Sequence, residues 1–238
     1  MSKVLVIAKR EFLSFFNSPI AYIVISLFLL TVGTMFFVLG AFFLRGEATM
    51  RSFFGYAHIC FLFIAPALTM RMLAEEKRTG TFEILATLPV REVEIVIGKF
   101  FAALGILVLA LIFTFPYAIS ISYLGDLDFG PVVGGYLGLI LLGGAYLSIG
   151  ILSSSWTDHQ IIAFVVALII SFAFYIMDWA INFMPGWTVS VISAISLQRH
   201  FTNIARGVVD TRDLIFFLSI IVFALLWATR SIEARKWK

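Results

Sequence analysis

Charge is scarce in this sequence. Asp, Glu, Lys and Arg make up 13% of its 238 residues, where a soluble domain carries roughly 25%. So little charge excludes a chain wetted on all sides, and most of its surface must face lipid. The net charge is +3, and the basic residues collect in a few short segments rather than in one stripe, which excludes a nucleic-acid footprint. Cys60 is the single cysteine, so no intrachain disulfide can form and the redox compartment is left open. Catalytic signatures are missing too. In "VEIVIGKF", Gly98 and Lys99 resemble the end of a phosphate-cradling loop. Val93, however, stands where the first glycine belongs, and Phe100 where a hydroxyl would ligate magnesium. There is no G-x-S-x-G elbow and no H-E-x-x-H pair. The chain is therefore expected not to be an enzyme and to hold no cofactor of its own. A secretory leader is not expected either, because Lys9, Arg10 and Glu11 interrupt the first apolar stretch and no small-x-small cleavage site follows.

What is present is apolar: 61% of the residues are hydrophobic. A membrane span needs about 20 mostly apolar residues, and six windows qualify, at 20–44, 53–70, 100–124, 131–152, 161–177 and 214–229. No repeat, low-complexity tract or long linker divides the chain. The fold class read from this pattern is an all-α integral membrane protein, one membrane domain over 1–238. Lys and Arg fix the expected orientation. One side of the topology holds Lys3, Lys9, Arg10, Arg71, Lys77, Arg78, Arg91, Lys99, Arg230, Arg235, Lys236 and Lys238. The other holds Arg45, Arg51, Arg199, Arg206 and Arg212. Twelve against five places both termini and the 71–99 connection in the cytoplasm. The five tryptophans (Trp156, Trp179, Trp187, Trp227, Trp237) fall near span ends or outside the spans, where an interfacial belt would put them.

Two further stretches look helical without spanning. In 3–18, Leu5, Ala8, Phe12, Phe15 and Phe16 share one face and Lys3, Arg10, Ser14 and Asn17 another, which predicts an amphipathic helix lying in the inner interface and ended by Pro19. Residues 183–207 are apolar at first, then polar, and are broken early by Pro185 and Gly186. They predict one or two short outer helices that re-enter the outer leaflet or pack on the spans. In the fourth window Gly130, Gly134 and Gly138 recur every four residues. Such a face lets helices approach closely, either within the subunit or at a seam with a second copy.

The most polar window is "AEEKRTGTFEILATLPVRE", 74–92. Glu75, Glu76, Lys77 and Arg78 carry the second span into water as a charged helix. Gly80 breaks it, and Thr79 or Gly80 caps a new helix with Glu83 in its first turn. Phe82, Leu85 and Leu88 then fall on one face before Pro89 stops the helix. A solvated connection has no reason to present three apolar side chains together. That face either docks into a soluble partner or packs on the membrane surface or on residues 3–18.

"EEKRTGTFEILATLPVRE" resembles the signature that follows the second span in permease subunits of type-two ABC transporters. The subgroup it is most similar to serves gliding motility and nitrous oxide reductase maturation. The matching positions are Glu75, Glu76, Lys77, Arg78, Gly80, Glu83, Thr87, Pro89, Val90 and Arg91. The resemblance extends over the chain as architecture: an amphipathic first helix, six spans, a cytoplasmic coupling helix and short outer helices before the sixth span. It implies an ATP-driven assembly, by expectation an exporter, in which separate cytoplasmic ATPase subunits bind ATP and magnesium. A second permease copy or paralogue would complete the membrane part, within a bacterial inner membrane. The chain lacks a large external domain, so an external accessory protein is one expected partner. A gliding-type anchor that transmits force without moving a solute is the alternative reading, and neither substrate nor direction can be read from the residues.

Four other features draw the eye. His58, near the outer half of the second span, is read as a satisfied interfacial histidine rather than a metal ligand or proton relay. Asp158 and His159, in the turn between spans four and five, are read as a helix cap and a second contact with the ATPase. Asp178, at the end of the fifth span, is expected to reach outer water. Of seven methionines only Met70 and Met72 lie close together, which argues against a copper site.

Overall fold

A computed structural model describes residues 3–40, 49–80, 90–180, 189 and 193–235. All regular structure among them is helical. Helix α1 (Lys3–Asn17) stops just before Pro19, and α2 (Ile20–Thr34) continues through a π-helical turn at Met35–Leu39. There follow α3 (Arg51–Thr69), α4 (Ala74–Arg78), α5 (Glu92–Ile112), α6 (Phe115–Leu124), α7 (Phe129–Trp156), α8 (Gln160–Ala180), α9 (Leu197–Ala205) and α10 (Thr211–Arg235). Six stretches are long and apolar enough to cross a membrane: Ile20–Leu39, Arg51–Arg78, Glu92–Leu124, Phe129–Trp156, Gln160–Asp178 and Thr211–Ala234. The third is longer than the sequence implied, because α5 begins at Glu92 and not near residue 100. It is also broken at 113–114. Pro116 has no N–H to give Ile112 O, and at the break Leu111 O accepts both the Thr114 N–H at 3.0 Å and the Thr114 hydroxyl at 2.6 Å.

The bundle is organised around α7, which touches α3, α5, α8, α9 and α10. In its most apolar stretch 78% of residues are buried, against 17% for α8, 22% for the first span and 28% for α10. Its sequence explains this. Lipid tails are as apolar as leucine, so helices in a membrane gain by close backbone approach rather than by hiding hydrophobic area. A Cβ on Gly134 would run into the Ile204 carbonyl oxygen, one on Gly138 would come within 3.1 Å of the Phe201 ring, and Gly207 packs on the backbone of Gly130. The glycine face is therefore covered by α9 and the turn after it, in the same chain. Of the 183–207 stretch, 189 and 193–207 are described. α9 opens on Ser196, whose Oγ accepts the Arg199 N–H at 3.3 Å.

Helix α1 lies against α5, with Ile7 and Val4 over Gly98 and Phe12 over Gly105. Of the apolar face, Phe12, Phe15 and Phe16 pack on the bundle while Leu5 is exposed together with Val6 and Leu13, and Glu11 turns inward to meet Lys99.

Candidate functional site

The second span does not run unbroken into α4. The helix opens at 70–73, just after Pro66 has removed one of its donors. Such a break leaves buried backbone groups in need of partners, and Ser154 of α7 supplies them. Its hydroxyl accepts the N–H groups of Leu73 and Ala74 at 3.2 and 3.0 Å and donates to Met70 O at 3.1 Å. One residue on, Ser155 O receives both Lys77 Nζ and, at 3.2 Å, the Ser231 hydroxyl of α10. The run Ser153-Ser154-Ser155 is thus a joint that fixes the broken end of span two to spans four and six.

Lys99 sits beside this joint, one turn into the apolar part of α5, and only 1% of its side chain is exposed. A buried ammonium persists only if it is paired. Its Nζ lies 2.7 Å from Glu76 Oε1 of α4 and 3.4 Å from Glu11 Oε2 of α1, and Arg10 Nη2 meets the other Glu11 oxygen at 2.8 Å. Four charges of alternating sign, Arg10, Glu11, Lys99 and Glu76, tie the first helix, the third span and the end of the second into one neutral cluster. Burial pushes the Glu11 carboxyl up, but Lys99 and Arg10 outweigh it and hold Glu11 below the ordinary glutamate range. Nearby, Arg71 Nε meets Glu75 Oε2 at 3.0 Å.

The sequence-derived site residues divide accordingly. Glu76 and Lys77 bond to other helices of the bundle, while Glu75, about one-third exposed, pairs with Arg71. Arg78 ends α4 and Gly80 adopts φ +72°, the left-handed region that glycine enters without strain. Phe82, Glu83, Leu85, Leu88 and Pro89 lie outside the described residues. On the far flank Arg91 is extended, and its N–H donates to Glu94 Oε2 at 2.9 Å, capping α5. Asp158 and His159 form the turn between α7 and α8, with the His159 N–H donating to Thr157 Oγ1 at 3.1 Å. Asp178 does not simply reach water: its Oδ1 lies 3.3 Å from both Arg199 Nε and the Ser196 hydroxyl.

His58 is buried in the bundle, its Nε2 2.7 Å from the Tyr146 hydroxyl and its ring edge-on to Tyr175. Among the described residues no group of three or more His, Cys, Asp or Glu could hold a metal.

Composition and spacing single out none of Lys99, Glu11 and Ser154 as a site residue, and by position alone Lys99 belongs to the 71–99 connection. Its signal was the isolation of one charge inside "IVIGKFFAALGILVL", which in an apolar run asks for a buried partner.

Residues 47–230 match the family model of the ABC-2 family transporter protein. The chain belongs to that family. As an ABC-2 protein it is a permease subunit of an ABC transporter, a multi-pass membrane protein whose partners are an ATPase subunit and the lipid bilayer. The matched span contains Glu76, Lys99 and Ser154, whereas α1 with Glu11 precedes it. No curated protein matches the chain.

Proposed function

We propose that this permease carries the motion of a separate ATPase into its own bundle through the connection between spans two and three, and that it works as an exporter. The observation that carries the reading is the Lys99 cluster. It joins the two spans flanking residues 81–89, together with α1, by ion pairs from 2.7 to 3.4 Å. A push on that connection would reach spans two and three and α1 together, and through Ser154 the central span. Phe82, Leu85 and Leu88 provide the docking face, with Glu83 at its edge. Asp158 and His159, on the turn that follows the Ser155 junction, form a second contact.

In this reading ATP and magnesium belong to the ATPase, and the permease itself catalyses nothing. Both termini are cytoplasmic in a bacterial inner membrane, α1 lies at the inner interface, and a second permease copy or paralogue completes the assembly. Removing the buried Lys99 from the count of basic residues still leaves eleven against five in favour of that orientation. The similarity of 75–91 to the gliding and nitrous-oxide-reductase subgroup supports a role like that of those transporters.

A photoreactive amino acid tests this directly. Placed at Phe82 it should crosslink to the ATPase, and placed at Tyr123, 87% exposed at the other end of the bundle, it should not. Crosslinking from Tyr123 alone would invert the topology and remove the docking face.

A further inference from the structure

A cavity of about 340 Å³ opens where α1, the start of α2 and the end of α3 meet. Its floor is apolar, formed by Phe15, Ile20 and Met72, and one wall is the sealed Lys99–Glu11–Glu76 cluster. The rest of the polar lining is different in kind. There Arg71 and Glu75 are about one-third exposed, at 36% and 34%, and they use only part of their bonding capacity. Arg71 spends Nε on Glu75 Oε2, so its two Nη groups make no bond among the described residues. Glu75 Oε1 likewise has no partner there, and neither has the Ser14 hydroxyl, which also lines the cavity. The pocket thus presents a guanidinium fork, a hydroxyl and a free carboxylate oxygen side by side.

We propose that this cavity binds the phosphoethanolamine headgroup of a membrane phospholipid. A guanidinium fork matches two phosphate oxygens in a way a point charge does not. A primary ammonium two methylenes away would then donate to Glu75 Oε1. The charges agree: Arg71 with Glu75 is neutral, as is Arg10, Glu11, Lys99 and Glu76 together, and a zwitterion adds none. A headgroup carrying only the anion leaves Glu75 unmet, and a quaternary ammonium has no N–H to give it. The level agrees as well. Ile20 begins the first span and Met72 follows the apolar part of the second, so the cavity lies where chains leave the hydrocarbon layer. From its floor the exposed residues Tyr22, Ile23, Leu27 and Leu30 offer a surface for acyl chains. The inference depends on the membrane placement and not on how the ATPase docks, so either can fail alone.

Native mass spectrometry of the full chain, extracted from an equal mixture of phosphatidylethanolamine and phosphatidylcholine, reads this out. The expected result is one retained phosphatidylethanolamine, preferred by roughly tenfold, the size of one lost charge-assisted hydrogen bond. Arg71→Ala should lower retention of both lipids, because both carry the phosphate, and Glu75→Ala should abolish the preference, whereas Glu233→Gln, on the sixth span, should leave both unchanged. If Arg71→Ala fails to fold, Arg71→Lys keeps the charge without the fork and should lower retention. Equal retention of the two lipids by the unaltered protein, an unchanged preference in Glu75→Ala, or unchanged retention in the Arg71 variants would overturn the proposal. Soluble glycerophosphoethanolamine at the same concentration should displace no lipid. Displacement would overturn the lipid source and assign the pocket to a soluble ligand of the same chemistry.

Discussion

Glycine lets helices approach closely at both ends of the bundle, but the polar groups added to that packing differ. At the end bearing α1, α4 and the last turn of α10, helices are joined by buried charge and hydroxyls: Lys99 between two glutamates, Ser154 on an opened backbone, Lys77 on Ser155 O. At the other end α9 closes on α7 through glycine, with Gly134 against Ile204 O, Gly138 against Phe201 and Gly207 against Gly130. The polar bonds there, Arg199 to Asp178 and His200 Nδ1 to Asp213 Oδ1 at 2.5 Å, tie α9 to its neighbours rather than bridging an opened helix. A charged joint depends on which atoms are present and tolerates some movement, because ion pairs stay attractive as they stretch. A glycine joint depends on volume and tolerates very little. In the proposed function, motion enters at the charged end, where the joint tolerates it.

Lys99→Met should give the largest effect. It leaves Glu11 and Glu76 buried without their shared cation, a loss of about 3–5 kcal/mol when one partner of a buried pair is removed. Thermal unfolding in detergent measures it, and adding Glu11→Gln and Glu76→Gln should restore most of the loss. If Lys99→Met melts with the unaltered protein, the cluster is not a joint.

At the other end, Gly134→Ala should destabilise by roughly 1–3 kcal/mol, as overpacking does, because the obstacle is a backbone oxygen. Gly130→Ala should fall within about 0.5 kcal/mol, since its nearest neighbour, Asp128 Oδ1, stands off at 3.4 Å. Equal effects would mean that the glycine spacing, not the contact with α9, is what matters.

The smallest effect is a pH step. Glu11 is held below its ordinary value in the folded chain, so its contribution is present above the unfolded glutamate value of about 4.3. It is lost as pH falls through the lower folded value. Protection of α1 amides from hydrogen exchange should therefore weaken below about pH 4, and Glu11→Gln should remove that step. An acid step of equal size in the variant would assign it to another group.

The spans were legible in the sequence because lipid demands long apolar runs, and Pro19 ended α1 where proline should. The joint was not legible, for a physical reason. The partners of Lys99 lie 88 and 23 residues away along the chain, and the apolar count that located the third span began after its charges. Glu75 and Glu76 could be seen as charge but not as charge directed inward, since nothing local distinguishes a solvated glutamate from one that meets a buried lysine. Ser154 has no local signal, and only the opening of span two at 70–73 gives it its work. That Glu11 turns inward to Lys99 was not legible either, because periodicity ranks hydrophobicity and cannot foresee a buried cation.

The central claim is that the connection between spans two and three receives the ATPase. Changing Phe82 and Leu85 to Asp together tests it most directly, with the ATPase co-purified while membrane insertion of the permease is followed alongside. Burial of each side chain is worth roughly 1.5–3 kcal/mol, so the account predicts normal insertion and an ATPase lost by more than about tenfold. An ATPase that stays bound and coupled to the double variant would contradict it.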